Sequence, residues 1–240
     1  MTNLPSGNSI AEVAHLIGDA ARANMLAALM GGRALTAGEL ARHAGVTAQT
    51  TSGHLAKMTE ARLLAVEKQG RHRYYRLATA DVAQAIHALM ALAADGPPRY
   101  RPVGPRDAAL RLARTCYDHM AGRLALALAD SLVREGHVLL ADGAGLVTER
   151  GEAFFSGLGI DVTGATQSRR PLCRTCLDWS ERRPHIAGRL GAALLDSALE
   201  RGWVVRQAES RALRLTRAGE SGFAAAFRLP SDWRVEGVAQ

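Results

Sequence analysis

The chain has 240 residues, 30 basic and 23 acidic, with a net charge of +7. That length accommodates one or two domains with substantial cores, and 48% apolar with 22% charged residues excludes a disordered chain. No apolar run approaches the roughly 20 residues that span a bilayer: the stretches Ile86–Ala94 and Leu124–Ala129 are short or flanked by Arg123 and Asp130. The first residues, MTNLPSGNSI, lack the basic and apolar segments of a secretory signal. A cytoplasmic protein with no membrane partner is expected. Three cysteines make no disulfide scaffold, and in a reducing compartment a short-spaced pair points to thiol or metal chemistry. The basic excess is 28 Arg against only Lys57 and Lys68, a bias that a GC-rich genome produces by itself. Residues 1–97 carry nine basic and seven acidic groups (+2) and the remainder 21 and 16 (+5), so any nucleic-acid reading rests on local placement.

In chain order, Ile10, Val13, Ala14, Leu16 and Ile17, then Met25, Leu26, Leu29 and Met30, recur at helical spacing, with a bend or break expected at Gly18-Asp19 and a stop at Gly31-Gly32. Thr36 with Glu39 three residues on is a capping box, opening a short helix Ala37–Ala44. Gly45 turns the chain, and Thr47 caps a second helix to about Ala61. Two strand-like runs, Leu63–Glu67 and Arg73–Leu77, flank Lys68-Gln69-Gly70-Arg71, a hairpin signal. An apolar helix, roughly Thr79–Ala94, follows. Helix, turn, helix and a two-stranded wing is the winged helix-turn-helix order. The second helix shows Gln49, Thr50, Ser52, Gly53, His54 and Lys57 on its polar face, small groups suited to base edges and phosphates, while Leu55 and Met58 turn inward. The wing adds Lys68, Arg71, His72 and Arg73 where phosphates would lie, although a solvated hairpin accounts for the same charges.

Residues 10–94 resemble the ArsR/SmtB family of winged-helix repressors. The resemblance is carried by Leu16-Ile17-Gly18-Asp19-Ala20-Ala21-Arg22, Gly38-Glu39-Leu40-Ala41, Ser52-Gly53-His54-Leu55 with Ala61-Arg62-Leu63-Leu64, and Gly70–Leu77. It implies a homodimer joined by the first and last helices of this domain, binding to an imperfect palindrome in double-stranded DNA, and release by an inducer. The departures from the family are equally informative. Residues 1–115 contain no cysteine, Lys57 and Ala61 stand where cadmium/lead sensors of the family carry cysteines, and Asp81 and His87 share no helix face. No metal site of the family carries over.

Gly96–Pro105 holds four prolines and two glycines, so a linker is expected at 96–106 between a DNA-binding and dimerisation domain (1–95) and a second domain (107–240). The second domain is an internal duplication. Arg114–Asp118 recurs as Arg174–Asp178, and His119–Leu124 as His185–Leu190. Gly122–Gly136 matches Gly188–Gly202 at eight of fifteen positions, and Leu146–Gly151 recurs as Arg214–Gly219. The copies span 107–160 and 167–228, the second with an insertion Trp179–Pro184 that separates His185 from Asp178. Each copy reads as an apolar helix, a short strand, a loop, a second strand and a Thr-capped helix, again winged-helix-like. The fold class expected is mainly α with small β wings, the two copies packed with pseudo-two-fold symmetry.

Cys116 and Cys176 occupy equivalent places, as do His119 and His185, and Cys173 completes a C-x-x-C with Cys176. Thiolates and imidazoles suit Zn, Cd or As(III). Cys116, Cys173 and Cys176 could form a three-thiolate site, or a redox switch helped by neighbouring arginines. The residues also fit structural roles, with the thiols as small buried apolar groups and Asp118 and Asp178 capping the helices that follow. An organic ligand between the copies is the third reading. No nucleophile elbow, P-loop, dinucleotide-binding or metalloprotease motif is present, and Asp118-His119, read on a helix, points apart. The sequence thus predicts a DNA-binding regulator rather than an enzyme. It is expected to be a repressor released by a thiol-reactive metal, metalloid or oxidant, with an organic-ligand sensor or an architectural winged-helix protein as alternatives.

Overall fold

The computed structural model describes residues 6–69, 72–94, 105–141, 143–163, 170–208 and 210–234. The chain divides into two compact units, Met1–Leu89 and Met90–Gln240. The division falls earlier than the linker expected at 96–106, most of which lies outside the described residues.

In the first unit, α1 (Gly7–Ile17) is capped by Ser6 and ends at Gly18, and Asp19 caps α2 (Ala20–Leu29) by accepting from the Arg22 amide at 2.9 Å. The expected break therefore separates two helices. Arg22, only 6% exposed, donates to the carbonyls of His15 (2.9 Å) and Leu16, which the end of α1 would otherwise leave unsatisfied. A short strand not foreseen from the sequence, β1 (Leu35–Thr36), precedes α3 (Ala37–Ala44). The capping box forms at the start of α3: the Glu39 carboxylate accepts from the Thr36 amide at 2.7 Å, and the Thr36 hydroxyl accepts from the Glu39 amide at 3.3 Å. Gly45 turns at φ +67, and Thr47 caps α4 (Ala48–Glu60). The wing is β2 (Leu64–Gln69) antiparallel to β3 (His72–Leu77), and β1 pairs with β3 on its other edge. Helix α5 (Ala80–Ala94) follows. Met25, Leu26, Leu29, Leu40, Leu55 and Met58 are all at most 1% exposed and form the core on which α3 and α4 are oriented.

The second unit contains α6 (Pro105–Leu112), β4 (Arg114–Cys116), β5 (His119–Ala121), α7 (Arg123–Arg134), β6 (Val138–Ala141), β7 (Ala144–Val147), α8 (Glu149–Gly157), β8 (Cys173–Leu177), β9 (Pro184–Ala187), α9 (Gly188–Glu200), β10 (Val204–Arg206), β11 (Leu213–Leu215) and α10 (Arg217–Phe227). Each copy is thus hairpin, helix, hairpin, helix. The first hairpin of each copy, β4-β5 and β8-β9, adds to what periodicity alone indicated; strands of three to five residues carry too few alternations to be read.

The copies interlock by exchanging strand pairing. The second hairpin of copy one joins the first hairpin of copy two in one sheet, β6-β7-β8-β9, with Ala144 opposite Arg174. The reciprocal contact is a bridge between Ala212 and Arg114, the equivalent residues of the other copies, with Leu213 donating to the Ala113 carbonyl at 2.9 Å. Equivalent glycines support equivalent turns. Gly122 (φ +85) and Gly188 (φ +82) start α7 and α9, where a Cβ would lie 2.6 Å from the Arg111 carbonyl oxygen or 2.8 Å from that of Pro171. Leu124, Leu132, Val138, Phe155, Leu195, Val204 and Phe223 from both copies share one core.

Candidate nucleic-acid interface and a buried Cys/His group

On α4 the structure exposes Gln49, Thr50, Ser52, Gly53 and Lys57 and buries Thr51, Leu55 and Met58. Thr47 and Thr50 share a hydroxyl contact at 3.0 Å, and the Ser52 hydroxyl donates back to the Ala48 carbonyl at 3.0 Å, leaving Gln49 and Lys57 to extend outward. Beyond its chain neighbours and the backbone of α4 itself, no described residue comes within 4 Å of a Cβ built at Gly53. His54, grouped with this row on sequence grounds, is half-buried. Its Nδ1 accepts from Arg22 at 3.2 Å and its Nε2 lies 3.9 Å from Asp19. Helical spacing carries it round toward α2, so it braces α4 instead of standing in the exposed row. On the wing, Lys68 and Arg73 are exposed and opposite one another across β2 and β3. Arg71 lies outside the described residues.

The second chemical feature lies in the duplicated unit. Cys116, His119, Cys176 and His185 bring their ligand atoms within 4.8 Å of one another, three of the residues buried and Cys176 half-buried; the group could hold a metal ion. Cys116 Sγ and Cys176 Sγ are 4.0 Å apart, and His119 Nε2 and His185 Nε2 are 3.2 Å apart. Cys116 is paired with His119 across β4-β5, and Cys176 with His185 across β8-β9. The insertion separating Asp178 from His185 forms the longer tip of the second hairpin, and the register beneath it restores the pair.

Two carboxylates back the histidines. Asp118 Oδ1 is 3.3 Å from His119 Nδ1, and Asp178 Oδ2 is 3.8 Å from His185 Nδ1. Asp118 thus sits in a hairpin turn facing its neighbour, not on a helix pointing away from it. Each carboxylate is held by an arginine: Arg170 donates to Asp118 (2.8 Å from its Nη2), and Arg114, 1% exposed, donates to Asp178 at 2.8 Å. Asp118 is moderately desolvated, but its hydrogen bonds and charge pairing with Arg170 and His119 win, and its carboxyl is held down to about 2. Asp178 is likewise held below the carboxylate range; Arg114 and the Gly122 amide, 2.7 Å away, outweigh its burial. Neither aspartate caps its own following helix, since Asp178 instead accepts from the first residue of the other copy's turn. The Cys176 thiol is pushed up by the adjacent Cys116 and by burial.

Cys173 stands apart from the group. Three residues from Cys176 on a strand, it faces the opposite side, where it packs on Gly145 and joins the apolar core. Its counterpart in the first copy, Ala113, occupies the same core. Burial pushes the Cys173 thiol up to about 11. Arg170 is among the arginines that the sequence sets beside the cysteines, as helpers of a redox switch, together with Arg169, Arg174, Arg182 and Arg183; Arg114 is not among them, and the structure places Arg170 and Arg114 on Asp118 and Asp178. The signal for Arg114 was available in its recurrence as Arg174, two residues before each cysteine.

Residues 17–67 match the helix-turn-helix domain family. An uncharacterized HTH-type transcriptional regulator of Bacillus subtilis (strain 168), YdfF, is 45% identical over 215 residues, covering 90% of this chain and 95% of its own. Among solved structures, the homodimeric winged helix-turn-helix DNA-binding domain Mb0332 of Mycobacterium bovis is 20% identical, covering 42% of this chain and 98% of its own, with a TM-score of 0.35. The antimony-specific transcriptional repressor AntR is 23% identical, covering 38% of this chain and 85% of its own, with a TM-score of 0.32. No helix among the described residues is long and apolar enough to cross a membrane. The similarity to YdfF is too long to fit within either unit, and this chain belongs to the same family: it is an HTH-type transcriptional regulator, DNA-binding through a winged helix-turn-helix.

Proposed function

We propose that the protein is a homodimeric repressor that holds a palindromic operator through α4 and the wing and releases it when an inducer acts on the second unit. The observation that carries this reading is the exposed row Gln49, Thr50, Gly53 and Lys57 on a helix whose opposite side is fully buried, with Lys68 and Arg73 on the wing. The row offers donors and acceptors for base edges, and the wing cations suit phosphates. Dimerisation is supported by apolar side chains left in solvent on the first and last helices, Ile10 and Val13 on α1 and Leu89 and Leu92 on α5. Pairing two copies there would cover them, and two-fold symmetry would place the α4 helices in successive major grooves.

The inducer class is a thiol-reactive metal, metalloid or oxidant, because the strongest chemical feature of the second unit is a pair of thiols beside two imidazoles. The test is fluorescence anisotropy on DNA from upstream of the protein's own gene and on a scrambled duplex, before and after adding Zn(II), Cd(II), As(III) or peroxide. Preference for the upstream DNA and release by one agent is the expected result. Equal affinity for both duplexes would replace the regulator reading with an architectural one. Selective binding that no agent disturbs would redirect the inducer to an organic ligand.

A further inference from the structure

The duplication gives the Cys/His group a specific form. Cross-strand partners in an antiparallel pair project side by side from one face. The Cys116↔His119 and Cys176↔His185 registers therefore give each copy one thiol and one imidazole on its first hairpin. The interlocked copies bring these two half-sets together, sulfur beside sulfur and nitrogen beside nitrogen.

The sulfur–sulfur and nitrogen–nitrogen spacings match two edges of a tetrahedron. Bonds of about 2.3 Å to sulfur and 2.0–2.1 Å to nitrogen imply edges of about 3.8 Å between sulfurs and about 3.3 Å between nitrogens. The observed edges are 4.0 and 3.2 Å. The imidazole orientation makes the same demand. His119 Nδ1 lies 3.3 Å from Asp118 and His185 Nδ1 3.8 Å from Asp178, so each ring turns its Nε2 toward the other copy's imidazole. The two Nε2 atoms meet at 3.2 Å, close enough for one cation to bind both together with the sulfurs.

We infer that Cys116, His119, Cys176 and His185 form a Cys2His2 site for a tetrahedral divalent metal, with Zn(II) as the native ion, half of it contributed by each copy of the duplication. Two thiolates and two imidazoles match zinc in charge and softness, and four protein ligands leave no open position for substrate. The ion acts as a clasp between the copies, with Asp118–Arg170 and Asp178–Arg114 as outer-shell supports beside the histidines. The site contains two cysteines, so it is not the three-thiolate arrangement, and Cys173 is a core residue that alanine can replace, as Ala113 does in the other copy. The inference deepens the reading of the second unit as the receiving part by naming its metal class; its test uses no DNA, so the two can fail separately.

The experiment uses the full chain, stripped with a chelator and titrated with Co(II), then Zn(II). One equivalent of Co(II) should give tetrahedral d–d bands with thiolate charge transfer, displaced by Zn(II). X-ray absorption of the wild-type zinc form should show two sulfur and two nitrogen neighbours. Cys173→Ala should bind as wild type, whereas Cys116→Ser and Cys176→Ser should each weaken binding by more than about 100-fold, beyond the loss typical of an outer-shell partner. Circular dichroism checks that the variants remain folded, and the wild-type absorption data stand whether or not they do. No uptake by folded wild-type protein, octahedral cobalt, a third sulfur neighbour, or equal loss in Cys173→Ala would each overturn the inference.

Discussion

Gly53 lies mid-helix on α4, exposed, and beyond α4 itself no described residue comes within 4 Å of where a Cβ would be. A mid-helix glycine costs about 1 kcal/mol relative to alanine, because it has more backbone freedom to lose on folding. No positive φ or close internal packing accounts for that cost here. The proposed operator binding offers a reason: a helix backbone that must come close to the groove wall has no room for a side chain at this position. Gly53→Ala should therefore move two properties in opposite directions. The first unit should gain about 1 kcal/mol, a rise in its melting temperature of about 4–8 °C for a domain of this size. Affinity for the operator should fall about tenfold or more, equivalent to about 1.4 kcal/mol. Calorimetry and anisotropy on the same preparation read both. Unchanged operator affinity with the stability gain intact would show that no backbone approach to DNA occurs at Gly53.

Other perturbations probe other parts of the structure. Arg73→Ala should weaken specific and random duplexes alike and reduce the slope of log affinity against log salt by about one, whereas Gln49→Ala should mainly erode operator preference; titrations at several salt concentrations separate them. The hydrogen bonds from the Thr36 amide and hydroxyl hold the Glu39 carboxyl below its ordinary value of 4.5. Its contribution is thus complete above that pH and is lost as pH falls through the lower folded value; Glu39→Gln should remove this acid-side component from the melting curve. Asp178, wholly buried, holds the equally buried Arg114. Asp178→Asn should cost the second unit about 3–5 kcal/mol by leaving that cation uncompensated, and a loss below about 1 kcal/mol by denaturation would show the pair to be dispensable.

The first unit is legible because its boundaries are local chemistry. Asp19, Thr36, Thr47 and Gly45 each act on the backbone within three or four residues, and the helices begin and end where those residues stand. His54 is different: its position on the polar face is readable, but its engagement depends on Arg22, 32 residues away. In the second unit the duplication identifies equivalent residues without saying which copies touch. Cys116, His119, Cys176 and His185 can all be picked out by recurrence, yet only the exchanged strand pairing shows that they converge. The C-x-x-C spacing draws Cys173 toward the group, and strand geometry sends it to the other face. Arg114 is visible in the sequence as part of the repeat, but its burial depends on Asp178, 64 residues away, which no local pattern shows.

Hydroxyl-radical footprinting of the protein on DNA from upstream of its own gene reads the dimeric, two-helix binding mode itself. Two copies of α4 related by two-fold symmetry predict two protected patches with their centres about 34–36 Å, or 10–10.5 base pairs, apart. Both patches should disappear in a Gln49→Ala, Lys57→Ala double variant that still folds. A single patch, or uniform weak protection along the fragment, would contradict a dimer reading a palindrome through these helices.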